Sequence, residues 1–236
     1  MNRSPIEEGG VKVVMGPGTG HGQGFLVKSK FSPCYDVMPT EGGHTEFAAR
    51  TEEDMRLVQF AYNFIETSDN VENLRAKAKI DRISHERLGA GPAIPLLYAF
   101  MKQEHTGLAR VLEEGENAKS MDEISSFDVI QAALDQKDPL CKKVVDKFIE
   151  IFAVQTGDTA LKFLPYGGIY LIGGVTMGLR DQILQDKTFI NLFYAKGRLS
   201  GTMHRIPVLV LKPEVELGIL GAEEVAYRLC GSYSSK

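Results

Sequence analysis

The chain has 236 residues, 43% of them hydrophobic, and 27 basic against 31 acidic side chains for a net charge of −4. That is apolar material for a sizeable core in one large or two small domains, and with no long basic run no nucleic-acid partner is expected. Its longest apolar runs fall far short of the ~18 residues needed to cross a membrane, the opening MNRSPIEEGG is unlike a secretory leader, and three scattered cysteines without a C-x-x-C pair (Cys34, Cys141, Cys230) point to a reducing cytoplasm rather than to a disulfide framework or a structural zinc.

Val11–Met15 and Phe25–Val27 read as strands flanking a turn with glycine at 16, 18, 20, 22 and 24. Glycine tolerates φ > 0 and lets another group approach the backbone. Five at alternate positions imply a backbone pressed against something, with N–H groups exposed. Concave N–H nests attract anions, so a phosphate is the foremost candidate. Neither the dinucleotide register G-x-G-x-x-G nor the Walker A register fits, and the chain returns as a strand rather than a helix. A ligand-free hairpin loop is the competing reading. Thr19 favours the phosphate, because its short hydroxyl reaches an oxygen without crowding it.

Tyr35–Met38 is a third extended run. After it, Glu41-Gly-Gly-His44 turns sharply and brings a carboxylate and an imidazole together, a pair suited to a polyhydroxylated ligand. A turn whose histidine caps a strand end is the alternative. Thr51-Glu-Glu-Asp starts a helix with a hydroxyl cap and acids in its first turn, with Met55, Val58, Phe60, Ala61 and Phe64 on its apolar side. Residues 68–80 are polar, a solvated arm or loop. Glu86, before a second glycine turn (Gly89, Gly91), reads on its own as an exposed helical charge. His21, His85, His105 and His204 read as surface or packing histidines.

Pro92–Met101 opens a helix that buries Leu96, Leu97 and Phe100. The acidic stretch 112–127 is expected at the surface. From Asp138 as cap and Pro139 at the first helical position, a helix runs to about Leu164, with Leu140, Val144, Phe148 and Phe152 as one stripe. Gly167–Gly174 is a buried strand bracketed by glycine pairs, a helix starts near Met177, Ile206–Leu211 is another apolar strand, and 218–230 is a closing helix. Strands first, then strand–helix–strand–helix, predict a mixed α/β sheet covered by helices.

Six segments in this order resemble the bacterial-type glucokinase family: MGPGTGHGQGFLV, PTEGGHTEFA, ISHERLGAGP, YGGIYLIGGV, KGRLSGTMHRIPVLVL and ELGILGAEEVAYRL. Members are ATP-dependent glucose 6-kinases of the actin/hexokinase fold. The resemblance implies an actin-like ATPase, ribonuclease-H-like α/β sheet covered by helices. The whole of 1–236 would be the large C-terminal domain, with a helical insertion at about 51–165. It implies that Glu41, His44 and Glu86 bind glucose, that Gly18, Thr19 and Gly20 cradle the β- and γ-phosphates of ATP with Mg2+, and that Gly173 and Gly174 line the adenine pocket. It further implies a soluble cytoplasmic homodimer. The related kinases with a C-x-C-G-x-x-G-C zinc motif are set aside, because that cluster is absent.

The chain also departs from this family. The family's first phosphate loop, D-x-G-G-T, and the Asn-Asp pair carrying the catalytic base occur nowhere in it. The expectation is therefore a large domain that depends on an N-terminal lobe or another subunit. The alternative is a catalytically inactive glucokinase-like domain kept as a binding or scaffold module.

Overall fold

Val13 and Met15 alternate with half-buried neighbours along β1 (Lys12–Pro17), so β1 takes the middle of the sheet. On one side β1 pairs antiparallel with β2 (His21–Lys28), and β2 with β3 (Tyr35–Thr40). On the other side it pairs parallel with β4 (Ile169–Leu171), and β4 with β5 (Val208–Val210). The sheet order is β3-β2-β1-β4-β5 in this computed structural model, which describes residues 1–31, 34–67, 81–135, 138–212 and 216–229. The polar stretch 68–80 and Cys230 lie outside those residues. Because β1 and β4 are parallel, Pro17 and Leu171 finish at the same end of the sheet, the end where ligands gather in open α/β sheets.

The helices are α1 (Glu52–Thr67), α2 (His85–Gly89), α3 (Ala93–Glu104), α4 (Ser126–Leu134), α5 (Pro139–Phe163), α6 (Gly174–Gly178), α7 (Arg180–Gln185), α8 (Lys187–Tyr194), α9 (Ser200–Met203) and α10 (Leu217–Leu229). Helix α5 is the organiser. The Asp138 carboxylate accepts the Cys141 N–H at 2.9 Å, Pro139 occupies the first turn, and the helix stops where Leu164 turns left-handed at φ 44°. Its buried stripe of Leu140, Val144, Phe148 and Phe152 packs on α3, α4 and α8.

Helix α1 begins with a reciprocal box: Thr51 Oγ1 accepts the Asp54 N–H at 3.0 Å, and Asp54 accepts the Thr51 N–H at 3.1 Å. Its buried line is Leu57, Ala61 and Ile65, whereas Met55, expected on the apolar side, faces solvent. At 100° per residue Met55 points about a third of a turn away from the middle of that line. Asp54 also anchors the helix, accepting from the buried Lys147 of α5 at 2.6 Å. Burial alone would raise the Asp54 pKa. Hydrogen bonds from Lys147 and the Arg50 amide outweigh it and hold the carboxyl below its ordinary range. The helix following the Glu41–His44 turn is thus fixed to the core.

The remaining boundaries differ from the sequence reading at glycines and short helices. The strand expected over Gly167–Gly174 is only Ile169–Leu171, because Gly168 (φ 108°) and Gly173 (φ 95°) take conformations that end it. The helix expected near Met177 begins at Gly174 and continues as two further short pieces. Helix α4, with its Ser125–Asp128 capping box, follows the acidic segment directly.

Candidate functional site

The β1–β2 hairpin closes on three residues, Gly18–Thr19–Gly20, with Pro17 opposite His21. The five-glycine turn is corrected accordingly. Gly16 and Gly22 sit opposite each other within the strands, and Gly24 opposite Val14. Positive φ is not their reason either: the left-handed glycines among the described residues are Gly9, Gly115, Gly168, Gly173 and Gly197. Sterics account for two of them, Gly16 and Gly20, whereas Gly22 has open space and Gly24 only an ordinary contact. A Cβ on Gly16 would overlap the Ile172 carbonyl, one on Gly20 would lie 2.8 Å from the Glu86 carboxylate, and one on Gly18 would meet nothing within 4 Å. So Gly16 serves the core, Gly20 admits a carboxylate, and Gly18 keeps the tip open beside the exposed Thr19.

Glu41 leads into a single 3-10 turn, Gly42–His44. Gly43 is required there, because a Cβ would overlap the His21 carbonyl; the turn lies directly on the start of β2. This carries His44 Nε2 to 3.8 Å from Glu41 Oε2 and 3.8 Å from Glu86 Oε1. Both separations exceed a hydrogen bond. His44 thus lies near both carboxylates without a hydrogen bond to either, so donors and acceptors there are available to a hydroxyl.

Glu86 rides on the five-residue α2, which is tied at both ends. At its start the His85 N–H donates to the Thr45 carbonyl at 2.9 Å, and just beyond its end the Gly91 N–H donates to the Gly18 carbonyl at 2.8 Å. Glu86 Oε2 accepts the His21 N–H at 2.8 Å. The structure thus brings Glu41, His44 and Glu86 into one cluster and sets that cluster against the glycine tip. Gly173 joins from the other side: its Cβ would overlap the Pro17 carbonyl, so the turn after β4 abuts the end of β1, with Gly174 open beside it.

Two structural supports complete the cluster: His21, a packing histidine, and Gln23, which the sequence does not single out. The His21 main chain and ring hold α2, and Gln23 lies against Gly42. Their one sequence signal is position, immediately after the glycine tip. Among the described residues, no group of three His, Cys, Asp or Glu side chains could hold a metal ion.

His85 lies behind Glu86, buried with its ring edge-on to Phe47 at 5.6 Å. Burial, opposed mainly by the charge of Asp158, pulls its pKa down to about 4. Protonation then opposes folding. The stabilisation is complete above the unfolded value near 6.5 and lost as pH falls toward about 4, a change of up to ~3 kcal/mol. His21, also lowered by burial, titrates in the same direction. Denaturant unfolding followed across pH 7 to 4 should show stability falling, with a visibly shallower slope in His85→Phe. Superimposable slopes would exclude His85 as a source.

Comparison with known proteins bears on family and fold. The family model described as Glucokinase matches residues 1–229. A glucokinase from Nostoc punctiforme is 35% identical over 227 residues, covering 92% of this chain and 61% of the relative. The chain therefore spans about three-fifths of the length of that curated relative. Among solved structures, a glucokinase from an Antarctic psychrotroph superposes with a TM-score of 0.74 at 23% identity, over 96% of this chain and 61% of that one. A ROK family glucokinase from Streptomyces griseus, in complex with glucose and AMPPNP, gives 0.58 at 17% identity, over 93% and 61%. At these identities the structures establish the fold, an actin-like sugar-kinase sheet.

Proposed function

Because the chain belongs to the glucokinase family, we propose that it supplies the sugar-binding wall and one phosphate clasp for ATP-dependent phosphorylation of glucose at its 6-hydroxyl. The observation that carries this reading is the double engagement of Glu86. One carboxylate oxygen faces His44, beside Glu41, and the other accepts the first strand amide after the glycine tip. A hexose on the three side chains would sit next to a phosphate at Gly18, Thr19 and Gly20. Gly173 and Gly174 would flank the adenosine. The S. griseus enzyme's glucose and AMPPNP, an ATP analogue, support the same ligand pair. Magnesium would arrive on the nucleotide, since it is commonly held largely by phosphates and water.

Chemistry needs more than this wall. The chain holds no D-x-G-G-T and no Asn-Asp dipeptide, so on this reading the first phosphate loop and the base come from residues outside these 236. A missing general base lowers the rate ~10²–10⁴-fold, and phosphoryl transfer rests chiefly on positioning, which supplies roughly 7–11 kcal/mol when geometry is right. The purified chain is therefore expected to form no measurable glucose 6-phosphate from glucose and MgATP. It should bind glucose weakly, and Glu41→Ala, which removes a largely exposed carboxylate, should weaken binding a few-fold. Robust turnover by the chain would refute the division of labour. Unchanged calorimetric binding in Glu41→Ala would remove Glu41 from the site.

A further inference from the structure

Helix α2 is one turn and a half, too short to hold itself in place. The position of Glu86 therefore depends on what the turn is tied to. Two of its ties come from a single residue. The His21 N–H donates to Glu86 Oε2 at 2.8 Å, and His21 Nδ1 lies 3.0 Å from the Gly89 carbonyl at the other end of the turn. The first tie is a main-chain bond open to any residue type except proline. The second needs this imidazole.

A carbonyl only accepts, so Nδ1 carries the ring proton. Nε2 is then a lone pair, and it is buried without a hydrogen-bond partner among the described residues. The ring is 4% exposed and stands edge-on to Phe152 at 5.7 Å. It is thus a neutral, oriented donor clamped between α5 and α2, and burial lowering its pKa keeps it neutral. A would-be Cβ on Gly89 lies 4.0 Å from Nδ1 and 3.4 Å from Ile151, so the turn is seated tightly on this surface.

We propose that His21 is a positioning residue for the sugar site: its Nδ1–H bond to the Gly89 carbonyl fixes α2 so that Glu86 Oε1 points toward His44 and Glu41. The proposal rests on the reading of Glu86 as a glucose ligand. His21 itself touches neither sugar nor nucleotide in this scheme. It acts through Glu86, and its side chain couples the end of the phosphate hairpin to the sugar carboxylate.

The test is glucose titration of the full chain in four forms, wild type, His21→Leu, His21→Gln and His21→Asn, alongside Glu86→Ala, with each folded fraction checked by thermal unfolding. Asparagine places an amide N–H near the Nδ1 position; glutamine places it near Nε2; leucine offers none. Glucose affinity should fall roughly five- to tenfold in His21→Leu and His21→Gln, the equivalent of about one neutral hydrogen bond, and return to near wild type in His21→Asn. Lower thermal midpoints with unchanged affinity in the leucine and glutamine variants would reduce His21 to packing and overturn the proposal. So would asparagine behaving like leucine. If wild type binds while Glu86→Ala does not, equal binding by His21→Leu defeats this proposal alone. If wild type and Glu86→Ala bind alike, the sugar-site reading fails first.

Discussion

Glu86→Ala is expected to lower glucose affinity on the order of 100-fold while the chain remains folded. Of the three acid and imidazole groups, Glu86 is the one already held still. Its side chain is about a third exposed, against 91% for Glu41, and one oxygen is fixed by the His21 amide. A ligand meeting the other oxygen loses little further side-chain entropy in forming the bond. Hydrogen bonds to a charged group contribute roughly 1.5–3 kcal/mol, a factor of about 10 to 150 for one bond. The alanine variant also leaves the His21 amide without its acceptor, which loosens the hairpin end. Glu86→Gln keeps an acceptor for that amide and loses the charge, so it should fall between the two, near tenfold. Titration calorimetry on the three proteins gives the order. Wild-type affinity in Glu86→Ala would place the sugar elsewhere.

The second large effect separates glycines that look alike in sequence. Gly16→Ala should destabilise the chain by about 4 kcal/mol or more, or prevent folding. Its new methyl would overlap the Ile172 carbonyl, a main-chain atom that cannot swing away, at a position where β1 and β4 carry the middle of the sheet. Overpacking against side chains costs about 1–3 kcal/mol; against backbone in a central strand it belongs to the exceptional tail. Gly18→Ala, two residues on, meets nothing within 4 Å and needs no left-handed φ. It should fold with a midpoint equal to or slightly above wild type. If the hairpin tip is the proposed phosphate clasp, the added methyl would intrude on it, so binding of an ATP analogue should weaken several-fold while glucose binding is kept. Thermal unfolding and nucleotide titration of the pair check both halves. A Gly18→Ala chain with undiminished nucleotide binding would remove the hairpin tip from the clasp.

These glycines also show what the sequence makes legible. The hairpin could be read, because β-rich runs flank an obvious break, and so could α5, because a capping aspartate, a first-turn proline and a four-residue apolar rhythm agree. The reason for the glycines could not. Alternate spacing suggests one long turn pressed against a ligand, whereas residues two apart share a strand face, and Gly16 and Gly22 meet across the hairpin. Helix α2 escaped for another cause: five residues are too few for any periodicity, and tertiary ties rather than propensity define it. Residue pattern alone therefore makes Glu86 an ordinary surface charge, and only the family resemblance singles it out; the structure adds its place beside Gly20. Met55 differs because a hydrophobic residue near a helix start need not lie at the angle of the buried line, and this one is exposed.

The most direct test is a crystal structure of the chain grown with saturating glucose. The expected result is a hexose whose hydroxyls lie within about 3 Å of the side chains of Glu41, His44 and Glu86, with its 6-hydroxyl directed toward Gly18–Gly20. A hexose bound at another face, or those three side chains untouched at saturation, would contradict it.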